Sequence, residues 1–319
     1  MDFQLLINNL TNPSLLFFVL GVLAVRLKSD LEIPATSSKF IALYLMLSIG
    51  FKGGQELSHS SFDLSILWAL LFGVFLSAAV PFYTFFILKR KLSIADSAAI
   101  AAAYGSISAV TFVTAVSYLE LQGVTFGGHM VAVMALMEAP AIISGVILLD
   151  KYSSQEAKGD IKKIVIHAFT NGSVLLILGA LLIGLIADEK QAEGIKPFVT
   201  DIFKGFLAVF LLDMGISSGR KLKAFFKYGK FALLFAILIP LINGLIVSVL
   251  SSWISPEPGD RFIFAILAAS ASYIAVPAAM QLANPKADEG LYIPMALAIT
   301  FPFNITIGFP IYWMVIQNF

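Results

Sequence analysis

The sequence predicts an all-α integral membrane protein whose ten transmembrane helices form an inverted repeat of five plus five, with two broken, crossing helices. Composition gives the first indication, because 59% of the 319 residues are hydrophobic and only 13% are charged. The mean hydropathy is +0.90. Soluble domains carry about 25% charged residues. The chain is therefore expected to lie in a bilayer, with membrane lipid around it.

Ten apolar runs give the second indication. A helix needs roughly 20 residues to cross the hydrocarbon core, and the loops between the runs leave no room for a soluble catalytic domain. The chain begins without a basic region or a small-residue cleavage site, so the first helix is expected to be retained. The predicted spans 1 to 10 cover residues 13–28, 38–57, 63–88, 94–118, 129–149, 167–187, 198–219, 229–253, 261–283 and 291–316.

The distribution of basic residues predicts the orientation. Of 21 Lys and Arg residues, 16 fall on one side of the predicted spans and five on the other. Because Lys and Arg collect in cytoplasmic loops, both termini are expected outside. Five spans precede the central loop and five follow it, so the two halves cross the membrane in opposite directions. We expect a first repeat over 1–150, a cytoplasmic linker over 151–166 and a second repeat over 167–319.

The third indication is that the two halves align residue by residue. A single match could arise from the biased composition, but four matches in the same order indicate an internal repeat. The matched pairs are 48–57 with 213–222, 102–111 with 268–277, Glu138 with Asn304, and Pro81 with Pro240, at offsets of 165, 166, 166 and 159.

Two of the matched segments, 102–111 in span 4 and 268–277 in span 9, are crowded with Ser, Gly, Ala and Tyr. This composition favours backbone that leaves helical geometry, which survives in a membrane where it lines a cavity or is buried in protein. Matched broken helices are typical of transporter binding sites. Each helix that restarts offers free N–H groups and a positive dipole end, so the pair suits a small anion. The alternative is that the small residues serve close helix packing.

Glu138 is a charged residue near the middle of span 5. A charge at that depth costs about 2.5 to 3.5 kcal/mol even on insertion scales, so it needs a cation, a partner or a proton. Sodium held by Glu138, with oxygens from Thr111 and Asn304, would meet that need. The alternative is a protonated Glu hydrogen-bonded to a neighbouring helix. Asp213 is expected to pair locally with Lys or Arg near its helix end.

Several function classes are disfavoured. The chain has no Cys, which excludes disulfides and Cys-ligated metals, and its net charge of +1 suggests no affinity for nucleic acid. No nucleophile–base pair, metal-ligand cluster or phosphate loop supports an enzyme. A membrane transporter remains the best interpretation.

Four segments together resemble the cyanobacterial sodium-dependent bicarbonate transporter family, and the similarity runs over essentially the whole chain. They are Tyr104 to Thr111, Ser270 to Pro277, Gly50 to Glu56 and Leu212 to Gly215. The resemblance implies a gate domain from spans 1, 2, 6 and 7, and a core domain from spans 3–5 and 8–10 that carries the crossing broken helices. It also implies a homotrimer in the plasma membrane, inhibited from the cytoplasm by a PII-like regulatory protein. The central loop over 150–166 is shorter than that of the family.

The resemblance further implies bicarbonate uptake with sodium, which we interpret as symport by alternating access. Sodium would lie beside Thr111, Glu138, Asn304 and Ser270. Bicarbonate would lie between the two broken segments, at Gly105, Ser106, Ile107, Ser108, Ala271, Ser272, Tyr273 and Ile274.

Three alternatives stay open from the residues alone. A sodium symporter of an organic anion requires a wider cavity. A sodium/proton antiporter requires a second mid-membrane acid or an acid–Lys pair, and Glu138 is the clear candidate for only one such group. A receptor could bind the same anion without moving it, which flux measurements would reveal.

Overall fold

The computed structural model describes residues 11–59, 63–153, 166 and 170–319. Over these residues the chain is helical and contains no strand. Most of the expected linker over 151–166 lies outside the described residues.

Seven helices make up the described part of the first half. Met137 separates the last two of them. The helices are α1 (Pro13–Arg26), α2 (Ala35–Ser58), α3 (Leu64–Leu88), α4 (Ile94–Gly105), α5 (Ala109–Leu121), α6 (His129–Leu136) and α7 (Glu138–Tyr152).

The second half has nine α-helices among its described residues. Short π-helical segments, Pro197–Asp201, Met295–Thr300 and Asn304–Gly308, join some of them. The helices are α8 (Gly172–Ile186), α9 (Glu189–Lys196), α10 (Phe203–Phe225), α11 (Gly229–Leu250), α12 (Pro258–Ala269), α13 (Ala275–Ala283), α14 (Glu289–Pro294), α15 (Phe301–Phe303) and α16 (Phe309–Asn318).

The lengths and compositions of these helices fit a membrane protein. Two shorter apolar helices, α1 and α8, accompany five stretches that are long and apolar enough to cross a bilayer. The ten spans of the sequence analysis stay a prediction. The five long stretches among the described residues are Leu64–Leu88, Ile94–Leu121, His129–Tyr152, Phe226–Trp253 and Glu289–Asn318.

One helix was absent from the sequence-based prediction. Helix α9 occupies part of what the apolar pattern leaves as a loop. Its start carries a capping box, in which the Asp188 carboxylate accepts from Gln191 N–H at 2.8 Å and the Gln191 side chain accepts from Asp188 N–H at 3.1 Å. This polar signal was present in the sequence, but a search for apolar runs passes over it.

Two close helix crossings depend on glycine. Helix α1 packs against α10 where Gly21 meets Gly215, and a Cβ on Gly21 would collide with the Leu212 carbonyl oxygen. Helix α2 packs against α8 in the same manner, since a Cβ on Gly54 would collide with the Leu181 carbonyl oxygen. Small residues let helix backbones approach this closely in membranes. The result is two tightly joined helix pairs, α1 with α10 and α2 with α8.

Helix α4 is buried from Ser97 to Gly105 and lies at the centre of a second group of helices. Helices α3 and α7 contact α4 and each other, while α11 contacts α12 and α16. Helix α13 lies against α4 and α7. The non-helical residues 106–108 and 270–274, which lie within the segments 102–111 and 268–277 of the sequence analysis, therefore lie inside a packed group of helices.

The break between α6 and α7 has a local cause. Pro140 has no N–H to donate to the carbonyl of residue 136, which interrupts the helical ladder. The Ser77 hydroxyl of α3 donates to the carbonyl of Met137 at this point. Glu138 consequently becomes the first residue of a new helix.

Candidate binding site between the interrupted helices

The first interruption separates α4 from α5. Ser106 and Ser108 both have extended backbone, with φ/ψ of −85°/174° and −106°/109°. The Ser108 hydroxyl caps α5 by accepting from the N–H of Thr111 at 3.2 Å. Ser is a preferred residue at this capping position, which explains why the helix restarts here.

The second interruption separates α12 from α13. Ser270 has extended backbone, with φ −84° and ψ 169°. The Ser272 hydroxyl accepts from the N–H of Val276 at 3.3 Å, in the first turn of α13. A serine thus satisfies part of the first turn after each interruption.

The two interruptions contact each other through polar groups. Ser108 N–H donates to Ser270 Oγ at 3.1 Å, and Ser272 N–H donates to the Ala103 carbonyl at 2.8 Å. Backbone that leaves a helix in a low-dielectric interior needs such partners, because an unsatisfied buried polar group costs about 1 to 3 kcal/mol. Each interruption therefore supplies a hydrogen-bond acceptor to an N–H group of the other.

A small cavity of about 20 Å³ lies at this junction. That volume is close to the space that one water molecule requires. Six of the residues that the sequence analysis assigned to bicarbonate or sodium binding line this cavity. Residues from α2, α5, α8 and α13 complete its wall. The lining consists of Met46, Ile107, Ser108, Ala109, Glu138, Ser173, Ser272, Tyr273, Ile274 and Ala275.

Glu138 is the acidic residue of the cavity wall. Its side chain is buried, and Oε1 has no hydrogen-bond partner among the described residues. A carboxylate on the first residue of α7 is favoured by the positive end of the helix dipole, but the dipole does not replace a ligand for the free oxygen. The chemistry of this site therefore fits a cation or a proton at Oε1.

Asn304 lies in a different environment. Its Nδ2 donates to the Ala269 carbonyl at 2.7 Å, and its Oδ1 accepts from the Tyr312 hydroxyl at 3.2 Å. The residue belongs to the π-helical segment Asn304–Gly308 and is fully buried. Its amide thus satisfies the last carbonyl of α12, and it does not line the cavity that contains Glu138.

The model of the Na⁺-dependent bicarbonate transporter superfamily matches residues 13–317, nearly the whole chain. The chain belongs to this superfamily. This confirms the resemblance seen in the sequence motifs. Comparison with curated proteins gives no match.

Membership of the superfamily implies a membrane transporter rather than an enzyme, with sodium and bicarbonate as fitting cargo. Over the described residues no group of three or more His, Cys, Asp or Glu side chains could hold a metal ion. Sodium coordination does not need such a group, because hydroxyl and carbonyl oxygens also serve as ligands for hard cations.

The other residues that were predicted to bind sodium or bicarbonate lie outside the cavity wall. Ser106 is fully buried, and its hydroxyl has no partner among the described residues. Thr111 and Ala271 are buried outside the cavity wall. Ser270 donates its hydroxyl to the Leu267 carbonyl at 2.9 Å. A Cβ on Gly105 would lie 2.5 Å from Pro81 Cδ, so this glycine permits close packing of α4 on α3.

Sequence reasoning missed two side chains of the cavity wall. Ser173 follows the Asn171 cap at the start of α8, and Met46 lies in the middle of α2. Asn171-Gly172-Ser173 is a small polar triplet that could have drawn attention. Nothing in the sequence marks Met46, because a single Met in an apolar helix has no distinguishing pattern.

Asp213 has two kinds of partner. Arg220, one of the local basic residues that the sequence analysis considered, interacts with it electrostatically, although the Arg220 guanidinium lies 3.3 Å from Glu32. The Ser38 hydroxyl of α2 donates a hydrogen bond to the Asp213 carboxylate, which the sequence did not indicate.

Proposed function

We propose that this chain is a sodium-coupled bicarbonate symporter that imports HCO₃⁻ by alternating access, with the anion held between the two interrupted helices. The observation that carries the proposal is the free Oε1 of buried Glu138, which lines one cavity with Ser108 and Ser272. A buried carboxylate without a partner requires a compensating ligand. Family membership supports sodium and bicarbonate as the two cargo species.

The anion would bind next to the starts of α5 and α13. Both are helix N-termini with a positive dipole, and the sequence places no Lys or Arg in either interruption. A site built from N–H groups, the hydroxyls of Ser108 and Ser272, and the Tyr273 hydroxyl suits a compact monoanion. Such a site lacks the cationic side chains that hold multiply charged phosphates.

Sodium at Glu138 would couple the two binding events. The cation compensates the carboxylate and raises the local positive potential, which favours the anion beside it. Without sodium the carboxylate repels the anion. Cooperative loading then follows from electrostatics alone, and each cargo is expected to bind poorly without the other.

Movement is required because the cavity of about 20 Å³ is too small for the anion and a cation together. Its wall combines Met46 of α2 and Ser173 of α8 with residues from the interrupted helices. We propose that the gate domain, α1, α2, α8 and α10, is held together by the glycine crossings. The core domain would shift against it, which widens the cavity toward one side of the membrane at a time.

An inverted repeat would account for the paired crossings. Gly215 corresponds to Gly50 at the offset of 165, and a Cβ on Gly50 would lie 2.6 Å from the Ile177 carbonyl oxygen of α8. Helix α10 against α1 thus matches α2 against α8. This correspondence supports a five-plus-five arrangement with ten spans.

The remaining parts of the proposal rest on family membership and loop charge. They are a homotrimer, a plasma-membrane location with both termini outside, and inhibition by a cytoplasmic PII-like protein. The basic segment between Arg220 and Lys230 would face that partner.

The test is uptake of labelled bicarbonate into proteoliposomes at fixed pH, with and without an inward sodium gradient. We expect sodium to drive accumulation in the wild type and not in Glu138→Gln or Ser108→Ala. Ser248→Ala is the matched control, since Ser248 is equally buried but bonds to the Gly244 carbonyl in α11, away from the cavity. It should transport like the wild type.

The alternatives give different outcomes. Accumulation that is independent of sodium would remove the symport mechanism. Binding of bicarbonate without flux would favour a receptor. Sodium-driven uptake of an aliphatic carboxylate such as octanoate, in preference to bicarbonate, would favour the organic-anion symporter.

A further inference from the structure

A long apolar groove of about 890 Å³ lies between α2 and α8. On α2 its wall is formed by Lys39, Leu43, Leu47 and Phe51, which share one helix face because they are four residues apart. The opposite wall includes Gly179 of α8. The proposed transport mechanism assigns no cargo to this groove.

The length of the groove matches one leaflet of a bilayer. Twelve residues separate Lys39 from Phe51, which corresponds to about 18 Å along a helix. Half of a hydrocarbon core of about 30 Å is about 15 Å. A groove of this length reaches from the membrane surface slightly past the midplane, as an acyl chain does.

The charge of the groove is confined to one end. Among the described residues that line it, Lys39 alone is charged. Asn171 and Gly172, at the start of α8, also line the groove, and the positive end of the helix dipole there favours an anion. Lys39 belongs to the side of the chain that carries most of the basic residues, which the positive-inside rule assigns to the cytoplasm. The anionic lipids of a membrane face that side.

We propose that the groove binds one acyl chain of an anionic phospholipid from the cytoplasmic leaflet, with its phosphate at Lys39. The lipid would also complete the cargo site. Ser173 and Ile274 line both the groove and the small cavity. Ile274 is 46% exposed although its neighbours Tyr273 and Ala275 are buried. An acyl chain in the groove covers Ile274 and closes the cargo cavity on that side.

Glycines provide matched variants for the test. A Cβ on Gly179 meets no atom within 4 Å, so Gly179→Phe fills the groove without displacing backbone. Gly205 of α10 is exposed, and a Cβ on it likewise meets no atom within 4 Å. Since Gly205 does not line the groove, Gly205→Phe is the control. Lys39→Gln removes the charge and leaves the apolar wall intact.

The experiment measures lipid retention. Each variant is reconstituted in vesicles of phosphatidylglycerol and phosphatidylcholine in equal amounts and extracted in mild detergent, and bound lipid is quantified by mass spectrometry. The wild type and Gly205→Phe should retain phosphatidylglycerol with about fivefold preference, the effect of one Lys near an anionic surface. Gly179→Phe should lose the bound lipid. Lys39→Gln should keep bound lipid but lose the preference.

Three results would overturn the proposal. Equal retention in Gly179→Phe and the wild type would show that lipid binds elsewhere. Displacement of the lipid by free glycerol 3-phosphate would identify a phosphate site rather than an acyl-chain site. A change of oligomeric state in Gly179→Phe, without loss of lipid, would show that a second copy of the chain covers the groove. Because no readout measures transport, failure here leaves the symport proposal standing.

Discussion

The predicted repeat aligns Glu138 with Asn304, 166 residues apart, yet their surroundings differ. Asn304 has a partner on both sides of its amide, the Ala269 carbonyl and the Tyr312 hydroxyl. Glu138 lines a cavity, and its Oε1 has no hydrogen-bond partner among the described residues. A satisfied group stabilises one arrangement, whereas an unsatisfied group gains a partner only when a ligand arrives. Asn304 thus supports the packing of the helices, and Glu138 is the residue to which the proposed function assigns the cation.

The largest effect on stability is expected from Asn304→Leu, which removes the hydrogen bonds of the Asn304 amide. This change leaves the Ala269 carbonyl without its partner, a loss that costs about 1 to 3 kcal/mol, and leaves the Tyr312 hydroxyl with only the Pro240 carbonyl at 3.2 Å. Thermal unfolding in detergent should show a markedly lower midpoint. Asn318→Leu, at the exposed end of α16, should shift stability by less than about 0.5 kcal/mol. An unchanged midpoint in Asn304→Leu would mean that Asn304 is not a structural support.

The second prediction concerns the proposed binding of sodium at Glu138. Sodium at about 100 times its dissociation constant should stabilise the wild type by about 2.7 kcal/mol through mass action. Glu138→Gln should remove this sodium-dependent shift, because the amide is a weaker cation ligand than the carboxylate. Asp213→Asn removes a buried acid whose partner is Ser38 and should keep the shift. A sodium-dependent shift that survives in Glu138→Gln would place the cation elsewhere.

The third effect concerns Gly105 and Ala271, which also lie 166 residues apart. Gly105→Ala should destabilise the protein by about 1 to 3 kcal/mol, because overpacking forces neighbours to move. The neighbours here are Pro81 Cδ at 2.5 Å and the Ser77 carbonyl oxygen at 2.9 Å from the added Cβ. Ala271→Gly should cost less than about 1 kcal/mol. Equal unfolding midpoints for the two variants would contradict this asymmetry in packing.

The smallest effect is expected at Glu120, close to the end of α5. Its carboxylate lies 3.0 Å from Lys52 Nζ of α2 and 3.4 Å from Lys204 Nζ of α10. Because these groups are partly exposed, Glu120→Gln should change stability by less than about 1 kcal/mol. This difference in stability between Glu120→Gln and the wild type should vanish at high salt, because the Debye length then falls to about 3 Å and the ion pairs are screened.

The control for Glu120 is Glu193→Gln. Its partner Lys196 lies on the same helix at 3.3 Å, so this pair does not join different helices. Bicarbonate uptake at low salt should respond to Glu120→Gln alone. An equal response in both variants would assign the effect to surface charge.

Much of the fold was predictable because apolar length and small-residue composition are local properties. Segments 102–111 and 268–277 stood out because they are crowded with Ser, Gly, Ala and Tyr. Within them, helices end at Gly105 and Ala269. The interruption at Met137 was not predicted, although Pro140 marks it in retrospect. Helix α9 was missed because its signal is a polar capping pair in a segment without an apolar run.

The candidate site was predictable only in part. Ser108, Ser272 and Glu138 could be named because small polar and charged residues are rare in apolar spans. Met46 and Ser173 could not be assigned, since nothing local indicates which faces of α2 and α8 meet the interrupted helices. The partners of Asn304 were equally hidden, because Ala269 is distant in sequence and a tyrosine on an apolar helix has many possible contacts.

The sequence by itself determined the membrane environment, the helical class, the family and the positions where helices are weak, because hydrophobicity and backbone preference act over a few residues. Only the tertiary structure decided which of two matched polar residues is satisfied and which faces a cavity. That outcome depends on contacts between distant helices. Glu138 and Asn304 are aligned by the sequence, but they form different hydrogen bonds because the side chains around them differ.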